Sequence, residues 1–406
     1  MVDYDPLSPE VLADPFPFYR SLRDEAPAYY SEKYDTWFLS RFADIWRAER
    51  DARFFTIEDG QMPSQVMGLE EFDSELAGVA FGDSPATLDP PTHTGFRAVI
   101  APNFLPSAAR ALEPATRELV RGFIDEFVER GEADAVLDLA MRTSVRVACM
   151  ITGLPLSMAE WFVERVNAMF VRDETGWQRT EAGDQGVVEL QSYLGEFIDE
   201  RRRKGGEHDD ATHALMNGTV GGQKLSDLDC QSTLTLMLVG GTETLPKAFS
   251  GAVWRLADKP DQRAACAADP SLLPGAFREA LRTEMPTQML GRRVVETWEI
   301  HGEKLEPGQG VLYLWASANR DDREFPEPDR FDIRRNAPRI LTFGAGPHMC
   351  LGAHIARMEG EVMLEELLAR IPEYEVDFEN AVQLRSEVFR GYVSLPIRFE
   401  PVAGGG

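Results

Sequence analysis

Residues 343–359 read FGAGPHMCLGAHIARME, and this stretch restricts its own backbone more tightly than any other in the 406-residue sequence. Gly344 and Gly346 open backbone angles closed to other residues, and Pro347 fixes a further dihedral, so the thiol of Cys350 is carried on a stiff loop. Gly352 leaves room beside the sulfur for something large and flat. Ile355, Met358, Val362, Met363 and Leu367 follow at roughly helical spacing, which puts Cys350 at or near a helix N-terminus, where free amides and the helix dipole favour the thiolate. A soft anionic sulfur on a rigid loop suits iron, although these residues alone read more readily as a buried structural cysteine beside a turn.

Helical periodicity dominates the rest of the chain. It predicts helices over 15–25, 43–50, 93–103, 108–130, 137–152, 157–173, 185–203, 226–257 and 272–284. Period-two patterning predicts strands over 36–39, 293–300, 304–305, 310–314 and 392–399, a minority gathered mostly late. This order is α+β and mostly α-helical, without a repeating βαβ unit. Between residues 51 and 86 the pattern fails around scattered glycines and prolines, as in a functional loop. The longest helix opens on a capping box, Ser226 and Asp229, and carries Gly240-Gly241, Thr242-Glu243-Thr244 and then Pro246. Proline lacks the amide proton and clashes one turn back, so the Thr242 carbonyl is expected to be freed and the axis kinked there.

A net charge of −26 argues against nucleic acid as a partner, because no broad basic field offsets phosphate repulsion. Cys149, Cys230, Cys266 and Cys350 lie far apart with no CxxC spacing, which suggests neither a disulfide framework nor a zinc site and fits a reducing cytoplasm. The N-terminal stretch has no basic, apolar leader, and no run approaches the roughly 20 apolar residues of a membrane span. One domain over 1–403 is expected, with a glycine tail at 404–406. The basic run 201–204 reads as a solvated helix end, and His208 and His213 as surface residues without zinc spacing.

Three further motifs bear on the cysteine loop. Glu279 and Arg282 stand three apart on one helix face, Arg330 lies in a PDRF stretch, and DPPTHTGFR sets His93 and Arg97 one helical turn apart. Each has a bland alternative in a surface salt bridge or a helix cap. In this order and spacing, together with the kinked helix, Ala318-Asn319-Arg320-Asp321 and the opening DPFPFYRSLRDEAP, the chain resembles the soluble bacterial members of the cytochrome P450 family over nearly its whole length.

The resemblance implies a fold in which haem b lies between the long kinked distal helix and the cysteine-loop helix. It implies Cys350 as the metal ligand, whose thiolate favours cleavage of the dioxygen bond. It implies His93, Arg97, Arg292 and His348 around the haem carboxylates, Gly241 and Gly352 as clearance, and Phe343 packed beside the sulfur. Glu243 and Thr244 become the catalytic pair that delivers protons, and Glu279, Arg282 and Arg330 a structural network behind the loop. By position in the family, Val66, Met67, Phe81, Val239, Met289, Leu290, Val388 and Phe389 are expected to line a pocket for a hydrophobic small molecule. The activity implied is monooxygenation, most simply hydroxylation, using O2 and two electrons from a ferredoxin and ferredoxin reductase. Arg110, Arg334, Arg335 and Arg339 are candidates for the dock. A peroxide-driven oxygenase and a non-catalytic haem-thiolate sensor are the alternatives. Leu245 and Pro246 depart from the commonest family pattern after the first threonine.

Overall fold

The helix around which the molecule packs begins at its predicted cap. In the computed structural model, which describes residues 2–69, 83–171 and 180–402, Asp229 N donates to Ser226 Oγ at 3.1 Å and Ser226 N to Asp229 Oδ2 at 2.7 Å. The helix spans Asp227–Asp258 and continues through Pro246, so the proline does not end it. Leu234, Leu238, Leu245, Phe249, Val253 and Leu256 are all buried along its length, each contributing about 1.5–3 kcal/mol through removal from water. Helices Met141–Thr152, Glu181–Lys204, Leu273–Thr283 and the cysteine helix Ala353–Arg370 pack against it.

The strands form a smaller layer. Strands β1 (Ala28–Ser31), β2 (Thr36–Leu39), β3 (Phe55–Thr56), β4 (Met289–Val294) and β5 (Gly310–Leu314) make a sheet in the order β1-β2-β5-β4-β3. The β2–β5 pair is parallel and the others antiparallel, with Gly310 opposite both Thr36 and Arg293. A Cβ at Gly291 or at Gly310 would lie 2.7 Å from a Val66 methyl, so the short helix Pro63–Val66 rests directly on the sheet backbone.

Where the elements differ from expectation, the chain turns earlier than periodicity indicates. The predicted strand 293–300 is two strands, Met289–Val294 and Trp298–Ile300, and the latter pairs with Glu303–Leu305. The predicted strand 392–399 also divides: Arg390–Ser394 forms a hairpin with Val382–Arg385, while Pro396–Arg398 joins another sheet. Proline at the start of that second piece donates nothing to a continuing ladder. The segment read as a loop over 51–86 contains β3 and Pro63–Val66, and residues 70–82 lie outside the described residues.

Arg201 is not a solvated helix end. It pairs with Asp210 and donates to the Gly153 carbonyl at 2.9 Å, tying down the end of the helix Met141–Thr152. His213 lies half-buried in the helix Ala211–Asn217, and among the described residues no group of His, Cys, Asp and Glu could hold a metal ion. Among the described residues, no helix is long and apolar enough to cross a membrane.

Candidate functional site

The cysteine loop is built as its glycines require. Gly344 and Gly346 have φ of 66° and 69°, and a Cβ at Gly346 would stand 2.1 Å from the Glu49 carbonyl oxygen. The loop therefore lies against the last turn of the helix Phe42–Arg50. Cys350 N donates to the Phe343 carbonyl at 2.7 Å, and the helix beyond starts at Ala353 with Gly352 as its cap. The Cys350 sulfur belongs to an exposed residue, yet burial among protein atoms pushes its pKa up, opposed by the Gly352 N–H and by Arg97 and Arg357. Cys350 is thus exposed as a residue while protein atoms crowd its thiol. Burial outweighs the helix-terminus effect expected from the sequence.

On the long helix, Gly240 is exposed between partly accessible Val239 and Gly241, and a Cβ there would meet nothing within 4 Å. Gly241 differs from expectation. Its missing side chain is replaced by Ala148, whose Cβ would stand 3.1 Å away, so Gly241 serves helix packing and Gly240 provides the opening. Half-buried Thr244 donates through Oγ1 to the Gly240 carbonyl at 2.9 Å. Glu243 is buried and engaged by a residue the sequence reading missed: Lys247 Nζ lies 2.7 Å from Glu243 Oε2 and 2.9 Å from its carbonyl. The Glu–Lys spacing of four was a legible signal for that pair.

Four cationic or donor groups converge from separate elements: His93 and Arg97 on the helix Thr92–Ile100, Arg292 on β4, and His348 on the turn Gly346–His348. The two imidazoles stand 4.1 Å apart, and neither ring nitrogen of buried His93 has a partner. Burial, then Arg97, lowers the His93 pKa; burial, then Arg292 and His93, pushes His348 down to about 3. Asp89 approaches this group only to 3.9 Å from His348 Nε2. Orphaned donors and mutually repelling cations are what a buried anion would complete. A flat macrocycle with two carboxylates fits these residues: the open surface at Gly240, the sulfur of Cys350, and Gly352, where a Cβ would meet only that sulfur at 4.0 Å.

Behind the loop, Glu279 and Arg282 form a buried bidentate pair at 2.7 and 2.9 Å, and Arg282 also donates to the carbonyls of Asn319 and Pro328 at 2.8 Å. The third member is not Arg330, whose side chain is 60% exposed and pairs with Glu327. Arg335 takes the place, donating to Glu279 at 2.9 Å and to the carbonyls of Pro326, Glu327 and Arg330. The chain turns at Glu327, φ 49°, which directs Arg330 outward. Glu49, also missed, accepts from Trp315 Nε1 at 2.9 Å, and burial pushes its pKa up to about 8 against the opposing Arg292.

Two further expectations need correction. Val66, Met67 and Met289 are packed into the core beneath the sheet with Tyr19, Phe38 and Leu312, because glycine at 291 and 310 lets Val66 reach the strands. Val239 and Leu290 remain partly accessible, Val388 and Phe389 are buried near the hairpin, with Phe389 edge-on to Phe170, and Phe81 lies outside the described residues. In the proposed dock, Arg335 is engaged as above and Arg339 is held by Glu324 at 2.8 and 2.9 Å, leaving Arg110 and Arg334 exposed.

Comparison with known proteins matches residues 180–396 to the family model described as Cytochrome P450. The chain is 32% identical over 403 residues to Cytochrome P450 130 of Mycobacterium tuberculosis, covering 96% of each. It is 34% identical over 358 residues to the 20-oxo-5-O-mycaminosyltylactone 23-monooxygenase of Streptomyces fradiae, covering 87% of this chain and 82% of that one. Its fold is similar to the crystal structure of CalO2, with a TM-score of 0.88 and 29% identity over the whole of both chains.

Proposed function

The chain belongs to the cytochrome P450 family and is an oxidoreductase of the monooxygenase class, and from that premise we propose that it hydroxylates a small to medium hydrophobic molecule. The electrons are supplied by a ferredoxin-type carrier and its reductase, and one unit over residues 1–403 carries the activity. The observation that supports this reading best is exposed Cys350, its thiol crowded by protein atoms on a loop with two left-handed glycines.

Bound haem b supplies the activation of dioxygen. The chain supplies the rest. Cys350 is the ligand, with its amide fixed to Phe343 and the Gly352 N–H directed at its sulfur. His93, Arg97, Arg292 and His348 hold the carboxylates, which gives the His93 N–H an acceptor and relieves the repulsion among the cations. Gly240 leaves the opening on the distal helix, and Thr244 presents a hydroxyl beside it. Glu243 carries protons toward that hydroxyl. The partly accessible Val239 and Leu290 favour an apolar substrate.

For the carrier, Arg278 and Arg357 join Arg335, which lines the same cavity, as candidates. They line a cavity of about 290 Å³ on the thiolate side, and Arg278 Nε has no partner. Burial and then Arg278 lower the Arg357 pKa, and the Arg357 guanidinium lies 4.9 Å from the Phe343 ring. Two such cations suit a carboxylate of an acidic protein.

The purified protein, reduced under carbon monoxide, should give the red-shifted Soret band of thiolate-ligated haem, and Cys350→His should abolish it. Retention of that band by C350H would end the assignment.

A further inference from the structure

The long helix holds a buried ion pair of which the oxygenase reading uses only the acid. Glu243 and Lys247 are 4% and 5% exposed, and the ammonium bonds both the carboxylate and the carbonyl of Glu243. Thr244 is turned to the Gly240 carbonyl, so the acid and the hydroxyl are each engaged by their own helix. Burying an ion pair costs several kcal/mol per ion before its attraction is counted, and a hydrophobic pair often serves stability as well. Stability alone therefore does not account for it.

The surroundings of Lys247 give it a second contact. Its stem runs against Gly391 of the strand Arg390–Ser394, where a Cβ would stand 2.6 Å from Lys247 Cβ and φ is 148°. The hairpin thus closes over the lysine at backbone distance. Between them lies a cavity of about 10 Å³, the room one water needs, lined by Lys247, Glu284, Gln288, Gln383 and Arg390 among others. Gln288 is buried there with its Oε1 unpartnered, while Gln383 and Arg390 are partly exposed at the rim. Glu284 in the same wall is held by Arg255 and Arg320. Spacings of four and seven from Gly240 put Thr244 and Lys247 on one face of the helix, with Lys247 one turn beyond the threonine.

We propose that Lys247 is a positioning and relay residue for Glu243, bringing protons from the hairpin side of the molecule through this cavity. This rests on the reading of Glu243 and Thr244 as the proton-delivering pair. In the step, a Lys247 Nζ–H bond breaks as a bond from that proton to Glu243 Oε2 forms. Nζ takes a replacement proton from water in the cavity, which solvent restores. Lys247 ends as it began, and Glu243 gains one proton. No electron moves.

The test uses the haem-loaded protein with Lys247→Met and Lys247→Arg. In K247M the carboxylate loses its cation, and infrared difference spectra should show a protonated-carboxyl stretch that K247M/E243Q lacks. Product formation should fall about a hundredfold, the lower end of what a positioned proton donor contributes, with a larger solvent deuterium effect and an unchanged carbon monoxide spectrum. Arginine keeps the charge but does not release its proton, so K247R should lack the carboxyl band yet share the loss of product. Wild-type product formation in either variant, with the infrared signature as described for K247M, would overturn the relay. Thr244→Ala separates the two layers: if T244A uncouples reductant use from product and K247M does not, only the Lys247 route falls. If T244A leaves coupling unchanged, the acid–threonine reading falls, and the relay with it. If K247R does not fold, K247M decides.

Discussion

Glu49→Gln offers the sharpest test of the electrostatics around the cysteine loop. Glu49 is 8% exposed, accepts from Trp315 through one oxygen, and leaves its other oxygen buried without a partner. Burial pushes its pKa from 4.5 to about 8, with Arg292, Trp315 and the Ala345 amide opposing. A raised carboxyl pKa means that the folded protein binds this proton more tightly than the unfolded chain does. Folded stability is then unaffected below the unfolded value, falls as pH rises from about 4.5 to about 8, and levels off above it. At about 1.4 kcal/mol for each tenfold change in proton affinity, the whole rise corresponds to about 5 kcal/mol, of which about 3.5 kcal/mol accrues between pH 5 and pH 8. Glutamine keeps the acceptor for Trp315 and removes the titration. The stability of E49Q relative to wild type should therefore improve by about 3.5 kcal/mol from pH 5 to pH 8. For a chain of this length that is about 4 °C in the difference between melting temperatures. Calorimetry of both proteins at the two pH values measures it, because the other titrating groups cancel in the comparison. A difference in melting temperature that stays constant with pH would refute the assigned burial of this carboxyl.

Two other outcomes concern arginines whose surroundings only the structure shows. Arg335→Ala removes bonds to Glu279 and three carbonyls and should cost about 3 kcal/mol in denaturant unfolding, in the range for breaking a buried pair, whereas exposed Arg330→Ala should cost under about 1 kcal/mol; the reverse order would restore Arg330 to the network. Replacing Arg278 and Arg357 together by glutamine should weaken association with a ferredoxin-type carrier by about tenfold or more, and reduce its salt dependence. Unchanged, equally salt-dependent binding in titrations would move the dock elsewhere.

What the sequence determined by itself is local. A serine three residues before an acid specifies a cap, and Ser226 and Asp229 make that cap as read. Gly344 and Gly346 take the left-handed angles that only glycine adopts without strain, so the rigidity of the Cys350 loop was legible in its composition. The family and its overall architecture were legible too, because they depend on ordered motifs spread along the chain.

Only the tertiary structure decided which of several like residues meets a given partner. Arg330 and Arg335 are both near Glu279 in the motif order, and the direction of one turn at Glu327 sends the first to solvent and the second inward. Val66 and Met289 are apolar and suited a pocket wall as well as a core; two glycines in the sheet drew them into the core. Glu49 lies about three hundred residues before the loop it supports, and no local pattern records that the helix Phe42–Arg50 ends against Gly346. The pKa values of His348 and Glu49, and the cavity beside Lys247, depend on burial by elements distant in sequence. Capping and backbone angle are properties of a few consecutive residues, whereas desolvation and the matching of charges are properties of what the rest of the chain brings alongside.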